Sequence, residues 1–529
     1  MPFWNEGYVT DVAYTTNFFR EMTPAWLSFA AISLGHRPPD LSRPFRWAEL
    51  GCGNGFTAAV VAACYPQAEV WGVDFNPAHI EAARRLAERA GLTNLTFVEC
   101  SFAELAEAPA ASIPVFDFIV AHGVYSWIAP EHRRQITEFV RHKLCPGGLF
   151  YNSYNDIVGW AAMMPLQALM RIVAASTSGT ADDAIEPITG LIETLLKGGA
   201  GFFKVNSAVE SKLERLRHID RRYVVHEYLN AHWHPLMFAD VVEEVAEAKC
   251  TFIGSATLTD NIEATSVPPD LLPAFRDIRD SRLKETVRDF ASAQSFRRDI
   301  YRKGITGLNT GEHLSLLEQI QLIAVNDPPP DDAELAFSCS IGTLSGAREI
   351  YGPLLHALAE GPLSLARARA TPGLAGKSLN EVLQSLTLLI SAGYAHPALP
   401  AETSFGARTA ARTLNRAIAE INTGGGNIRS IAAPAIGSAI TVDPMDSLLI
   451  GEVLAGQSAG REALAERLVK ALERTGRHIL RDGKPVAEPT EVWRLATEVV
   501  DGVLTRGSAR LRALGILDAS DGGRNERGP

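Results

Sequence analysis

The chain has 529 residues, 46% apolar and 21% charged, with 50 basic and 61 acidic side chains and a formal charge of −11. At roughly 150 residues per folding unit this length excludes one compact domain, and the composition excludes wholesale disorder. The acidic balance, with no run of more than three basic residues, argues against a nucleic-acid partner.

The opening MPFWNEGYVTDVAY has neither a basic n-region nor an apolar h-region and does not read as a secretory signal. Residues 1–45 read as an N-terminal cap segment. The six cysteines, Cys52, Cys64, Cys100, Cys145, Cys250 and Cys339, are scattered without a CxxC pair, which suits a reducing compartment. A cytoplasmic protein is expected. Over 46–160, apolar strand-like runs alternate with helical spacing, the pattern of a parallel sheet built from βαβ units. FRWAEL, AEVWGVDF, LTFVEC, FDFIVAHG and GLFYNSYN read as strands. Residues 56–65, 77–90 and 130–144 read as helices, the last two opening with proline at a permitted first-turn position.

From 161 to 325 the strand signal disappears and a mainly helical domain is expected. Arginine and aspartate alternate along 275–303, as in Arg276-Asp277, Arg288-Asp289 and Arg298-Asp299, which reads as a salt-bridged, solvated helix face. The most apolar long stretch, 160–176, is interrupted by Pro165, Gln167 and Arg171 and reads as too short to span a membrane. NDPPPDD at 326–332 cannot continue a helix and reads as a linker. Residues 333–400 follow the order helix, short helix, helix, extended segment, which suits a winged-helix-like domain. Lys377 is nearly the only cation near its second and third helices, so protein docking is expected there rather than DNA binding. Residues 401–517 read as a helical C-terminal domain, and 518–529 as a disordered tail.

The chemistry concentrates in Glu49-Leu-Gly51-Cys-Gly53-Asn54-Gly55, where a strand turns into a helix. Glycines there let the backbone approach a ligand, and the helix N-terminus points free N–H groups at it. Asp74 ends the next strand, 19 residues after Gly55, where a carboxylate can take both ribose hydroxyls of an adenosine ligand. A dinucleotide site has G-x-G-x-x-G. Here the spacing is G-x-G-x-G, Phe56 stands at the sixth position, and Glu49 precedes the glycines. A carboxylate so placed repels pyrophosphate and suits a ligand bearing an α-ammonium and a sulfonium, S-adenosylmethionine.

These residues resemble motif I of class I methyltransferases. The resemblance implies a cofactor set of Glu49, Gly51, Gly53, Asn54, Gly55, Asp74 and Phe75, with Ser101 and Phe102 beside the adenine and His122 and Gly123 beside the methionine moiety. The Ser101 position is often aspartate in that family, and serine can still accept the adenine N6 hydrogen bond. The Asn/Asp-Pro-Pro-aromatic clamp of nucleobase methylases is absent. A narrower likeness lies in Tyr8-Val-Thr-Asp-Val-Ala-Tyr14, AHGVYSWIAPE, GGLFYNSYND and Tyr223-Val-Val-His-Glu-Tyr228. These resemble bacterial methyltransferases that carry a methyltransferase regulatory domain, among them the rickettsial-type protein-lysine methyltransferases. An α/β fold is thereby implied: a Rossmann-like class I methyltransferase sheet, then a mainly helical domain and a winged-helix-like C-terminal region.

Methyl transfer is an in-line displacement in which positioning matters more than a base, and an apolar, aromatic-lined channel favours a neutral amine. Tyr125, Tyr154 and Asn155 are the candidate catalytic residues, and Tyr14, Trp127 and Tyr151 the candidate substrate-binding ones. Trp127 and Tyr151 read equally well as core aromatics. His122 reads as a neighbour of the cofactor more than as a general base. His218, His226, His232 and His234 lack the spacing that places two imidazoles on one helical face, so no metal is expected. A protein or peptide substrate with a lysine acceptor is the first reading. A small-molecule or peptide-natural-product methyltransferase, whose extra domains close the site or mediate a homodimer, is the second. A non-catalytic scaffold is the third, and the intact Glu49 to Asp74 set argues against it.

Overall fold

The computed structural model describes residues 16–108, 112–207, 209, 210, 213, 225, 227–304, 306–455, 460–481 and 484–518. Strands β1 (Arg46–Leu50), β2 (Glu69–Asp74), β3 (Leu95–Glu99), β4 (Phe116–Ala121), β5 (Leu144–Asn155), β6 (Cys250–Ser255) and β7 (Phe296–Lys303) form one sheet in the order β3-β2-β1-β4-β5-β7-β6. β1 to β5 are parallel, and β7 runs antiparallel between β5 and β6. The strand order reverses between β1 and β4, and that switch point opens a crevice at the carboxyl ends of the strands. Helices cover both faces, which is why the inner strands are continuous apolar runs.

Five helices position the crevice: α1 (Pro24–Ser33), α2 (Phe56–Cys64), α3 (Pro77–Arg89), α4 (Phe102–Glu107) and α5 (Pro130–Lys143). The Asn76 side chain caps α3 by accepting from Ala78 N–H at 3.0 Å. α2, FTAAVVAAC, has no charge and is buried at every residue. A helix apolar all round must be covered on all sides. The sheet covers one side, and the 23-residue helix Ala401–Thr423 with the hairpin Ser430–Ala433/Ser438–Thr441 covers the other. The C-terminal region is thus fastened directly behind the crevice.

Residues 161–325 are not a separate helical domain, because β6 and β7 come from them and complete the sheet. FRRDIYRK escapes a hydrophobicity pattern because its buried positions include Arg297, Asp299 and Arg302. Arg297 pairs with Asp299 at 3.0 Å and with Asp289, and lies 4.2 Å from the Phe238 ring. Tyr154 and Tyr301 donate to Asp299 at 2.6 and 3.1 Å. Buried charges of this kind cost several kcal/mol each unless closely paired. The alternation read as a solvated helix face therefore divides in two. Arg282 pairs with Glu243 on the surface of the helix Ser281–Ser292, whereas Arg288 and Asp289 on the same helix are buried.

Ile157–Ser176 is a continuous helical run of 20 residues with mean hydropathy 1.5, long and apolar enough by length and composition to cross a membrane. It exceeds the sequence reading because Asp156 caps it ahead of Trp160, accepting from Val158 N–H at 2.8 Å. Met163, Leu166 and Met170 on this run are buried in a helical lobe with Ile188 and Ile192. The NDPPPDD segment is a loop within one unit and not a boundary, since the strand Gln321–Ala324 before it pairs with Leu363–Ser364 and Ala395–Pro397 after it. Helices Arg348–Glu360, Leu365–Arg369 and Leu379–Ser391 follow the expected order. The winged-helix reading is not sustained, however: the middle strand comes from upstream, and after Ala395–Pro397 the chain enters the long helix instead of returning as a wing. Asp518, assigned to the tail, pairs with Arg408 and Arg412 at 3.2 and 3.1 Å.

Candidate active site

A cleft lies at the carboxyl ends of β1, β2 and β4. Its floor is the glycine turn, which is tied to β2 where Gly51 and Cys52 N–H donate to Val73 O at 2.8 and 2.9 Å. Gly51, Gly53 and Gly55 have φ of 73°, 52° and 70°, all in the left-handed region. Their surroundings differ. A Cβ on Gly55 would lie 2.5 Å from Phe97 Cε1 and 2.7 Å from Ala83 Cβ, so this glycine lets α2 start against β3 and α3 and does not line the cleft. That corrects its place in the expected cofactor set. Gly53 does line the cleft, and a Cβ there would meet nothing within 4 Å.

Two carboxyls stand over the turn. Asp74 is buried; its Oδ2 accepts from Gly53 N–H at 2.8 Å, and its Oδ1 accepts from Asn76 N–H at 2.9 Å and lies 3.3 Å from His79 Nδ1. One carboxylate therefore orients both the glycine turn and the start of α3. Glu49, on β1, is buried with Oε2 lacking a hydrogen-bond partner. Burial first, and Asp74 second, hold the Glu49 carboxyl well above the usual carboxylate range. Glu49 lines the cleft, and its orphan oxygen lacks the hydrogen-bond partner that a buried polar atom ordinarily has.

Phe75, Ser101 and Phe102 line the cleft beside Asn54. Ser101 also caps α4, its Oγ accepting from Glu104 N–H at 3.2 Å and donating to Glu104 Oε2 at 3.0 Å. One acceptor lone pair remains on that oxygen. His122 and Gly123 line the cleft after β4. His122 Nδ1 lies 2.8 Å from the Tyr151 hydroxyl and 3.1 Å from Ser153 Oγ, and the Phe19 ring sits 3.8 Å away. Burial, then Arg298, push the His122 imidazole down to about 3, so it is neutral at physiological pH.

The expected catalytic set is corrected. Tyr125 is fully buried, with its hydroxyl 3.3 Å from Thr137 Oγ1. Tyr154 is fully buried and committed to Asp299. Asn155 is buried too; its N–H donates to Ser126 Oγ at 2.8 Å and its carbonyl accepts from Leu236 N–H at 2.8 Å. None of the three is in the lining; residues 234 and 236 bond to Ser126 O and Asn155 O at the ends of β4 and β5. Tyr151 is likewise outside the lining and reaches the cleft only through His122. Trp127 does line it, stacked on Trp233 at 6.1 Å, which in turn meets Trp160 edge-on at 5.4 Å. Tyr14, His218 and His226 lie outside the described residues. Among the described residues no His, Cys, Asp and Glu group is arranged to hold a metal ion.

Sequence reasoning missed Asn17, Phe19, His79, His132, Glu227 and Asn230. His79 had a local signal, one turn into the helix that follows Asp74. Glu227 stood within the Tyr223–Tyr228 block but was given no role. Phe19 carried no signal, being one aromatic among several.

The model of the methyltransferase domain matches residues 48–150, and that of the predicted methyltransferase regulatory domain matches 220–303. The uncharacterized protein sll1526 of Synechocystis is 34% identical over 92% of this chain and 94% of its own length. The chain belongs to the class I S-adenosylmethionine-dependent methyltransferases that carry a regulatory domain. This methyltransferase shares its fold with PKMT2 of Rickettsia typhi, solved in complex with AdoHcy, at a TM-score of 0.68 and 20% identity over 95% of this chain and 99% of that one. Over 152 residues, 29% of this chain and 52% of the relative, it is 33% identical to trans-aconitate 2-methyltransferase of Methylobacterium radiotolerans. The regulatory match contains β6, β7, Glu227 and Asn230. In this methyltransferase the regulatory domain is therefore part of the catalytic sheet and of the cleft wall.

Proposed function

We propose that this methyltransferase methylates lysine amines of a polypeptide. The supporting observation is the make-up of the cleft: its described lining contains carboxyl side chains, Glu49, Asp74 and Glu227, and neither lysine nor arginine to hold an anionic acceptor. A polycarboxylate acceptor such as trans-aconitate is best held by guanidinium or ammonium groups, and here it would meet repulsion. An alkylammonium meets attraction, and the face of Trp127 suits a cation. The second reading, a small-molecule or peptide-natural-product methyltransferase, draws its support from the partial likeness to trans-aconitate 2-methyltransferase.

The residues present fit the cofactor. Asp74 would take the ribose hydroxyls, Glu49 the α-ammonium, and Phe75, Ser101 and Phe102 the adenine. When bound, S-adenosylmethionine supplies an electrophilic methyl: the amine lone pair forms the N–C bond as the C–S bond breaks, the electron pair leaves with sulfur, and the surplus amine proton passes to water. Neutral His122 adds no positive charge beside the sulfonium, and Tyr151 and Ser153 fix its ring.

Gly53→Ala separates binding from folding. The φ of 52° costs an alanine about 1 kcal/mol, while the added methyl projects into open cleft. Thermal unfolding is expected to shift little, with affinity for S-adenosylhomocysteine falling at least ~10-fold, about 1.4 kcal/mol. Calorimetry showing wild-type affinity would move the ligand off the turn.

The acceptor is tested with methyl-labelled cofactor and bacterial lysate, one portion left native and one with its lysines acetylated. Label is expected in the protein fraction as methyl-lysine after acid hydrolysis, and is expected to vanish on acetylation. Label in small molecules, or in base-labile esters, would favour the second reading.

A further inference from the structure

We propose that Arg20 is a positioning residue for the cofactor: it ties a strap formed by residues 16–19 to the C-terminal region, which thereby governs how long the ligand stays in the cleft. The inference rests on the cofactor placement given above and goes beyond it by naming what retains the ligand. The strap joins two parts of the site. At one end Thr16 Oγ1 accepts from Asn54 Nδ2 in the glycine turn at 2.7 Å, and at the other the Phe19 ring lies 3.8 Å from the His122 ring after β4. Asn17 and Phe19 themselves line the cleft, as do Asn54 and His122. A ligand held by the glycine turn and by the loop after β4 therefore has this strap as part of its wall.

Arg20 follows Phe19 and is not in the lining. Its Nη2 donates to Ser391 O at 3.0 Å and its Nη1 to Ile390 O at 3.5 Å, both in the last turn of the helix Leu379–Ser391. Carbonyls at a helix C-terminus lack intrahelical donors and carry the negative end of the dipole, so a guanidinium is a favourable cap there. The same guanidinium lies 4.4 Å from the Trp26 ring centre and 3.7 Å from Glu21, and Trp26 Nε1 donates to Ala256 O, just past β6, at 2.8 Å. The turn that carries Arg20 is stiff. Met22 N–H donates to Phe19 O at 3.2 Å, Thr23 N–H and Oγ1 donate to Arg20 O at 3.1 and 2.8 Å, and Trp47 Nε1 on β1 donates to Met22 O at 3.1 Å. A stiff turn passes the position of Arg20 on to the adjacent Phe19. The helix Leu379–Ser391 lies outside both matched domains, 48–150 and 220–303, so Arg20 gives the C-terminal region its own route to the cleft.

The test loads the intact chain with tritiated S-adenosylhomocysteine and chases it with unlabelled compound. Arg20→Met keeps most of the side chain's length and removes its donors. It is expected to release the label about 5-fold faster than the wild type and to bind about 5-fold more weakly, equivalent to about 1 kcal/mol. Arg20→Lys retains the charge and a point donor for the helix end, and should be intermediate. Phe19→Ala should speed release at least as much as Arg20→Met. In the double variant, release should be no more than about two-fold faster than in Phe19→Ala alone, because the ring through which Arg20 acts is already gone; a merely structural loss would multiply the two effects. Wild-type release in either Phe19→Ala or Arg20→Met, or effects that multiply in the double variant, would overturn the tether, and a weakened Gly53→Ala would then leave the cofactor placement standing. Wild-type affinity in Gly53→Ala would overturn both.

Discussion

Arg297→Met is expected to lower stability by about 3 to 5 kcal/mol, the usual consequence of removing one partner from a buried ionic cluster. The guanidinium is the counter-charge for Asp289 and Asp299, both buried, and it lies against Phe238. Methionine approximates the side chain's volume and leaves the two carboxyls unopposed. Burial already raises both carboxyls above their ordinary range, and Arg297 opposes that rise. Their native forms therefore bind more protons than the unfolded chain over the pH window above the ordinary carboxylate range, so stability falls as pH rises through it. Without Arg297 the rise is larger, and the variant should lose more stability at alkaline than at mildly acidic pH. Denaturant titrations at two pH values, followed by the first unfolding transition of this multidomain chain, measure both effects. Adding Asp289→Asn and Asp299→Asn should recover much of the loss. An unchanged midpoint in the single variant would mean that the cluster does not hold β7 in the sheet.

Asp74→Ala carries the largest expected effect on binding. The carboxylate accepts from Gly53 and Asn76 N–H, and its proposed partners in the complex are the ribose hydroxyls. Hydrogen bonds to a charged acceptor are worth roughly 1.5 to 3 kcal/mol, so affinity for S-adenosylhomocysteine should fall by at least ~10-fold. Asp74→Asn separates the contributions, since it keeps an acceptor oxygen while losing the charge, and should bind with intermediate affinity. Calorimetry giving wild-type affinity for the alanine variant would take Asp74 off the ribose.

The part of the cleft lining built by the glycine turn and the ends of β2 to β4 was legible in the chain because its requirements are local. Three left-handed backbone positions in five residues need glycine, and an acid lining the cleft at a strand end needs only the strand that precedes it. The loops holding Ser101, Phe102, His122 and Gly123 follow directly from counting strands. The rest of the lining was not legible. Tyr125, Tyr154 and Asn155 sit where a strand-end residue often meets substrate, and local pattern does not reveal their buried partners Thr137, Asp299 and Ser126. β7 was hidden because FRRDIYRK reads as a surface until Asp289, Tyr154 and Tyr301 are placed around its charges.

By itself, the order of residues determined a parallel nucleotide-type sheet, the glycine turn, and a carboxylate a strand later, because backbone conformation and strand periodicity are set by neighbours in the chain. Only the tertiary structure decided that the regulatory segment finishes that sheet and contributes Glu227 and Asn230 to the cleft wall. Burial and charge pairing are properties of surroundings assembled from distant segments, and a side chain's role in such surroundings is written in its partners rather than in its own position.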